Sequence, residues 1–300
     1  MIRNFNKANI YKRFNNFVFN NSNNFYYNIH GAIYKKMICN KKFVSDKIKN
    51  FHNLGYFNSE NCKEYASKIS NEIKKQNINN EKNYFRFEIT EEIKELVKNC
   101  IKDMHDRNLK ELGSYFNGKI YVSDCQIKRN FSINEIYETK NEKVSEPFNN
   151  FFHCDGYLYN YFKLFINLQD VNDNNGPLNY FSIKDNNYFL KKTNYKSRLD
   201  YKKTTFEKGL KRNIGKIGDS LFMSTPSCFH RAEPPKDNTH RDMLFITFLV
   251  LPKKKSYGED YFSLDKYFPN SIWVHDGVIN KKFGKPQSLK KILKHLIGFI

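Results

Sequence analysis

The stretch 161–169 constrains this chain most. It places Phe162, Leu164, Ile166 and Leu168 on one parity and Lys163, Phe165, Asn167 and Gln169 on the other. Residues two apart on a strand share a face, so this period predicts a strand with one side in a core. Three further strands are expected. The stretch 120–130 carries more polar residues, 220–224 is short, and 243–251 is so uniformly apolar that burial on both faces is expected. Asn175-Gly176-Pro177 supplies a turn. Many short strands without strand–helix alternation point to an antiparallel sandwich or barrel.

Helices are expected ahead of these strands. After Ser59, a candidate N-cap, Cys62, Ala66, Ile69 and Ile73 recur at helical spacing. After Thr90, Ile93, Leu96, Val97, Cys100, Ile101 and Met104 form an apolar stripe. Glu91 and Glu92 suit its positive N-terminal end, and Gly113 is expected to stop it. The chain divides into an Asn-rich extension over 1–50 without clear period, a main domain over 51–255, and a basic tail over 256–300. In the tail, Leu289, Ile292, Leu293, Leu296 and Ile297 face one way and Lys290, Lys291 and Lys294 the other. That stripe predicts a short helix docked on its own domain, with a membrane surface as the alternative.

The net charge of +20 invites a search for nucleic acid or another anionic partner. The lysines are scattered, however, and clusters such as Lys253, Lys254 and Lys255 are short. The charge therefore reads as compositional. The abundance of Asn, Lys, Ile, Phe and Tyr suggests an AT-rich coding sequence. An anionic small-molecule substrate is compatible with it; no nucleic acid and no partner protein are expected. The six cysteines form no CxxC pair, which favours a reducing, cytoplasmic setting. The first 45 residues lack Asp and Glu, which leaves organelle targeting as the alternative. No apolar stretch approaches a membrane span.

His153 and Asp155 flank Cys154. On a strand they share a face, so both can bind one metal ion while Cys154 points away. His230 follows 75 positions after Asp155, just past Gly218-Asp219-Ser220-Leu221. Two histidines and one carboxylate on one face of an octahedral ferrous ion leave three positions open: two for a bidentate 2-oxo acid, one for O2. An isolated His-x-Asp is common by chance, so Arg241 matters. It lies eleven residues after His230 at the start of the last strand, and a hairpin between the two is expected to bring it beside the metal. Its planar fork suits the distal carboxylate of 2-oxoglutarate.

These residues, with Phe165-Ile166-Asn167-Leu168-Gln169-Asp170-Val171, Gly176-Pro177-Leu178 and His230-Arg231-Ala232, resemble the phytanoyl-CoA dioxygenase family over roughly residues 50–252. The resemblance implies a mainly β fold, a double-stranded β-helix (jelly roll) core with flanking helices. It implies Fe(II) held by His153, Asp155 and His230, with Arg241 gripping 2-oxoglutarate. The reaction it implies is O2-dependent hydroxylation of a C–H bond, with release of succinate and CO2. Departures exist. Ala232 stands where a polar residue often helps hold the co-substrate, and Ser182-Ile183-Lys184-Asp185 replaces the usual segment after the Gly-Pro-Leu turn. Gln126 and Lys128 share a face of the 120–130 strand and are candidates for further co-substrate contacts.

Asp155 argues against a halogenase, in which a small residue replaces the carboxylate. His240 is disfavoured as a ligand, because alternation turns it away if Arg241 points inward. A nucleic-acid-modifying oxygenase of the same fold would carry a second arginine where Thr247 stands, and a protein hydroxylase would use Lys in place of Arg241. A non-catalytic jelly-roll binding module remains the alternative from another class.

Overall fold

The computed structural model describes residues 24–40, 42, 45–59, 62–78, 84–132, 150–155, 159–186 and 208–252, with the isolated positions 290, 293, 296, 297 and 300. The start of the 1–50 extension and most of the basic tail lie outside them.

The chain opens with α1 (Asn24–Met37) and α2 (Asp46–Leu54), then β1 (Tyr56–Asn58) and α3 (Lys63–Ile73). Next come β2 (Tyr84–Arg86), α4 (Glu91–Met104), a π-turn over His105–Leu109 and α5 (Lys110–Tyr115). The strands that follow are β3 (Gly118–Phe131), β4 (Tyr161–Asn167), β5 (Leu178–Tyr180), β6 (Lys211–Arg212), β7 (Ser220–Met223), β8 (His230–Ala232) and β9 (His240–Pro252). A six-stranded sheet runs β1-β7-β4-β9-β3-β2, and a three-stranded sheet runs β6-β5-β8. Every pairing is antiparallel. The two sheets face each other as a jelly roll with the helices packed on the outer face of the larger one, so the expected mainly β architecture holds.

The alternation expected for β4 is realised. Phe162, Leu164 and Ile166 join Ile246, Phe248 and Val250 of β9 and Ile127 of β3 in a core completed by Phe51, Ile69 and Val97 from the helices. Phe116 stacks on Phe162 at 5.6 Å and Phe248 lies 5.1 Å from Phe162. Burying each such ring contributes about 2–3 kcal/mol. The opposite parity looks toward the smaller sheet. There Phe165, Leu221, Met223 and Met243 meet Leu178, Tyr180 and Cys228.

Several local expectations are corrected. Residues 24–40 and 45–50, read as part of an extension without period, form α1 and most of α2. Tyr34 and Ile38 of that region enter the core, and the Tyr34 hydroxyl donates to Phe116 O at 2.7 Å. Tyr34 and Ile38 are i, i+4 neighbours separated by Lys35, Lys36 and Met37, a single spacing too short to read as a period. Ser59 does not cap α3, which begins at Lys63; the Ser59 hydroxyl instead donates to Met104 Sδ and accepts from Asn108 Nδ2. Gly113 does not end the helix after Thr90. It is buried within α5, and the chain leaves the helix at Asn117, whose φ is 50°. Of the C-terminal stripe, Leu296 is buried against the core, whereas Leu293 and Ile297 are exposed.

Candidate metal centre

His153 and His230 exchange both backbone hydrogen bonds, His153 N–H to His230 O at 3.0 Å and the reverse at 2.9 Å. This bridge adds the His153 segment to the edge of the small sheet and sets the two imidazoles side by side, with ring centres 4.6 Å apart. Asp155, two residues on, has its N–H held by Thr225 O at 3.0 Å. Cys154 packs against Phe152, Phe181 and Phe229 away from the two ligand candidates, although the expected strand here is reduced to an isolated bridge at His153.

The three side chains converge on one point, and their candidate ligand atoms all lie within 4.8 Å of one another. His153 Nε2 is 3.7 Å and His230 Nε2 is 3.8 Å from Asp155 Oδ1. The Nδ1 atoms are committed elsewhere, that of His153 to Phe151 O at 2.7 Å and that of His230 to Cys228 O at 2.9 Å. A ring nitrogen beside a carbonyl must donate, so each Nε2 carries the lone pair a metal needs. Neighbouring ligands about 2.1 Å from one ion at right angles sit about 3 Å apart. The site closes on such an ion with movements under 1 Å or so. The residues fit a divalent metal.

Electrostatics agree. Burial alone would raise the Asp155 pKa. Lys163, then His230 and His153, outweigh it and hold the carboxyl well below the usual carboxylate range. Lys163 Nζ is 2.7 Å from Asp155 Oδ2. This lysine was not singled out in the sequence. The only signal was its place as the one charged residue of a mostly apolar strand, on the parity that faces the site.

Arg241 is almost wholly buried, but not by the expected hairpin. β8 pairs with β5 in the small sheet and β9 pairs with β3 and β4 in the large one. Arg241 therefore belongs to the sheet opposite the histidines. It pairs with Asn130 and shares the inward parity of Met243 and Phe245. One guanidinium nitrogen donates to Gly176 O, while Nε lacks an acceptor. Burial pushes its pKa down to about 10, with Glu233 opposing. His240, on the other parity, is partly exposed and stands 3.8 Å from Asp242 Oδ2, outside the metal cluster.

Gln126 and Lys128 also face inward, opposite Phe245 and Met243. Gln126 Nε2 donates to Asp124 Oδ2 at 2.6 Å and its Oε1 has no partner. Lys128 Nζ sits 5.1 Å from the centre of the Phe245 ring and 5.8 Å from that of Tyr84. Desolvation, followed by Arg86 and Lys163, pushes its pKa down to about 8.

The six cysteines are free thiols. Among the described residues no helix is long and apolar enough to cross a membrane.

No family model and no curated protein matches the chain. Solved structures do resemble it. HygX from Streptomyces hygroscopicus, with nickel and 2-oxoglutarate bound, is 12% identical with a TM-score of 0.47, covering 73% of this chain and 95% of its own. EctD from S. alaskensis, with 2-oxoglutarate and 5-hydroxyectoine, is 13% identical with a TM-score of 0.44, covering 78% and 84%. ThoJ, a non-heme monooxygenase in complex with nickel, is 12% identical with a TM-score of 0.43, covering 78% and 98%. The likeness is distant.

Proposed function

We propose that this chain is an Fe(II)- and 2-oxoglutarate-dependent dioxygenase of the phytanoyl-CoA dioxygenase-like type, hydroxylating a C–H bond of a small, lipid-like or sugar-like molecule. The observation that carries the reading is the convergence of two Nε2 lone pairs and one carboxylate oxygen on a single buried point. When bound there, ferrous iron would supply O2 activation coupled to decarboxylation of the 2-oxo acid.

The chain's own groups divide the remaining work. Backbone carbonyls of Phe151 and Cys228 fix the tautomer and rotation of the two imidazoles. Asp155 enters ionised and needs no deprotonation on metal uptake. Arg241 offers a buried guanidinium with a donor to spare for the distal carboxylate of 2-oxoglutarate. Phe165 and Phe245 line the same inner face and keep water from the reacting centre. Lys128 adds a cation to that face beside the Lys163–Asp155 ion pair, which favours an anionic substrate or co-substrate.

The test is anaerobic loading with Fe(II), then addition of 2-oxoglutarate and O2 to a metabolite pool. The readouts are succinate and a product heavier by one oxygen. Wild-type chain should form succinate in an iron-dependent way, and His153→Ala should abolish it. Absence of both iron uptake and succinate from the wild-type chain would leave a jelly-roll binding module.

A further inference from the structure

The two oxygens of Asp155 have different surroundings. Oδ1 looks at the histidines, 3.7 Å and 3.8 Å from their Nε2 atoms. Oδ2 is 2.7 Å from Lys163 Nζ. Lys163 arrives from the opposite sheet, between the fully buried Phe162 and Leu164 of β4, with Met223 and Thr247 as its register neighbours. Its ammonium also lies 5.9 Å from the centre of the Phe245 ring, and its side chain is 15% exposed. A cation is thus carried across the gap between the sheets to the metal-binding carboxylate, on the side away from both imidazoles.

We propose that Lys163 is a positioning residue that limits Asp155 to ligation through Oδ1 alone, so that three coordination positions stay open. This rests on the metal-centre reading above. A carboxylate can grip a divalent ion with one oxygen or with both. Two-oxygen ligation would need Oδ2 to swing toward the ion and leave its 2.7 Å ion pair with the Lys163 ammonium. It would also leave the lysine charge in a poorly solvated gap without its counter-ion, at a cost of several kcal/mol. Both costs keep Oδ2 with Lys163. A 2-oxo acid and O2 together require three free positions, and a two-oxygen aspartate would take one of them.

Metal affinity alone does not test this, because deleting any nearby positive charge favours a cation. The decisive measurements are the visible d–d spectrum of the Co(II)-loaded chain and its affinity for 2-oxoglutarate. Lys163→Met should alter the Co(II) bands, as a second carboxylate oxygen replaces a water, and should weaken 2-oxoglutarate binding about 10-fold. Lys163→Arg, which retains the cation, should restore both toward wild type. A Lys163→Met chain that takes up Co(II) with unchanged bands and unchanged 2-oxoglutarate affinity overturns the proposal. Should that variant fail to fold, Lys163→Gln serves instead, since its shorter side chain cannot span the gap; the same spectral change is expected, and its absence is equally fatal. A wild-type chain that binds no Co(II) would instead remove the metal centre itself, a result distinct from failure of the lysine's role.

Discussion

Replacing Lys128 with methionine should stabilise the protein at neutral pH while weakening its grip on anions. Lys128 faces the inter-sheet gap on the Phe245 side, and desolvation, Arg86 and Lys163 lower its pKa from 10.5 to about 8. The native state therefore disfavours its charge, by at most about 3 kcal/mol for a shift of this size. Its partial exposure reduces that figure, and the lost contacts with the Phe245 and Tyr84 rings remove about 0.5–1 kcal/mol each. A net gain of roughly 1–2 kcal/mol remains for Lys128→Met. The pH dependence fixes the cause. A lysine whose folded pKa lies below its unfolded one carries its full penalty below about pH 8, and the penalty fades as pH rises from about 8 toward 10.5. Denaturant unfolding of both chains at about pH 7 and about pH 10 should show the advantage shrinking to under about 1 kcal/mol. A variant that is destabilised at pH 7, or an advantage equal at both pH values, refutes the reasoning. The accompanying loss should be about 10-fold in 2-oxoglutarate affinity, since an ammonium–carboxylate contact contributes about 1.5 kcal/mol or more.

Arg241→Ala should weaken 2-oxoglutarate at least 10-fold while leaving Co(II) affinity within about twofold, read by calorimetry; equal co-substrate affinity would remove Arg241 from its role. Gly176→Ala should destabilise the fold by more than about 2 kcal/mol in denaturant titration. Its φ of +66° disfavours any side chain, and a Cβ there would stand 2.3 Å from Glu233 O. Because Gly176 O accepts from Arg241, the same variant should also loosen co-substrate binding; a neutral outcome on both counts would separate the turn from the site.

What the sequence made legible followed from local periodicity. The β4 alternation and the apolar β9 are patterns within one strand that survive in the structure, whereas His153 and Asp155 come together although only His153 forms a bridge and Asp155 lies outside any strand. What it hid is long-range. Nothing local says that β8 and β9, separated by seven residues, enter different sheets. The helices within residues 24–54 are short, and each offers too few core positions, such as Tyr34 with Ile38 and Ile48 with Phe51, to show a clear period. Lys163 escaped notice for a third reason. A lysine in a half-buried strand ordinarily marks the wet face, whereas here that face is covered by a second sheet and the charge is met by Asp155.

That covered face explains how one short span of β9 serves both fold and site. Its Leu244, Ile246, Phe248 and Val250 point to the helices and anchor the strand in the main core. Its Arg241, Met243, Phe245 and Thr247 point the other way, each opposite a residue of β3 or β4 with polar or aromatic character: Asn130, Lys128, Gln126 and Phe165, Asp124 and Lys163. A one-residue slip of β9 would turn Leu244, Ile246, Phe248 and Val250 out of the main core and Thr247 into it, at a cost of several kcal/mol. Register and site geometry are therefore fixed by the same interaction. The hydrophobic parity sets where the strand lies, and the other parity inherits its placement in the gap between the sheets, where Lys163 of the neighbouring β4 reaches Asp155.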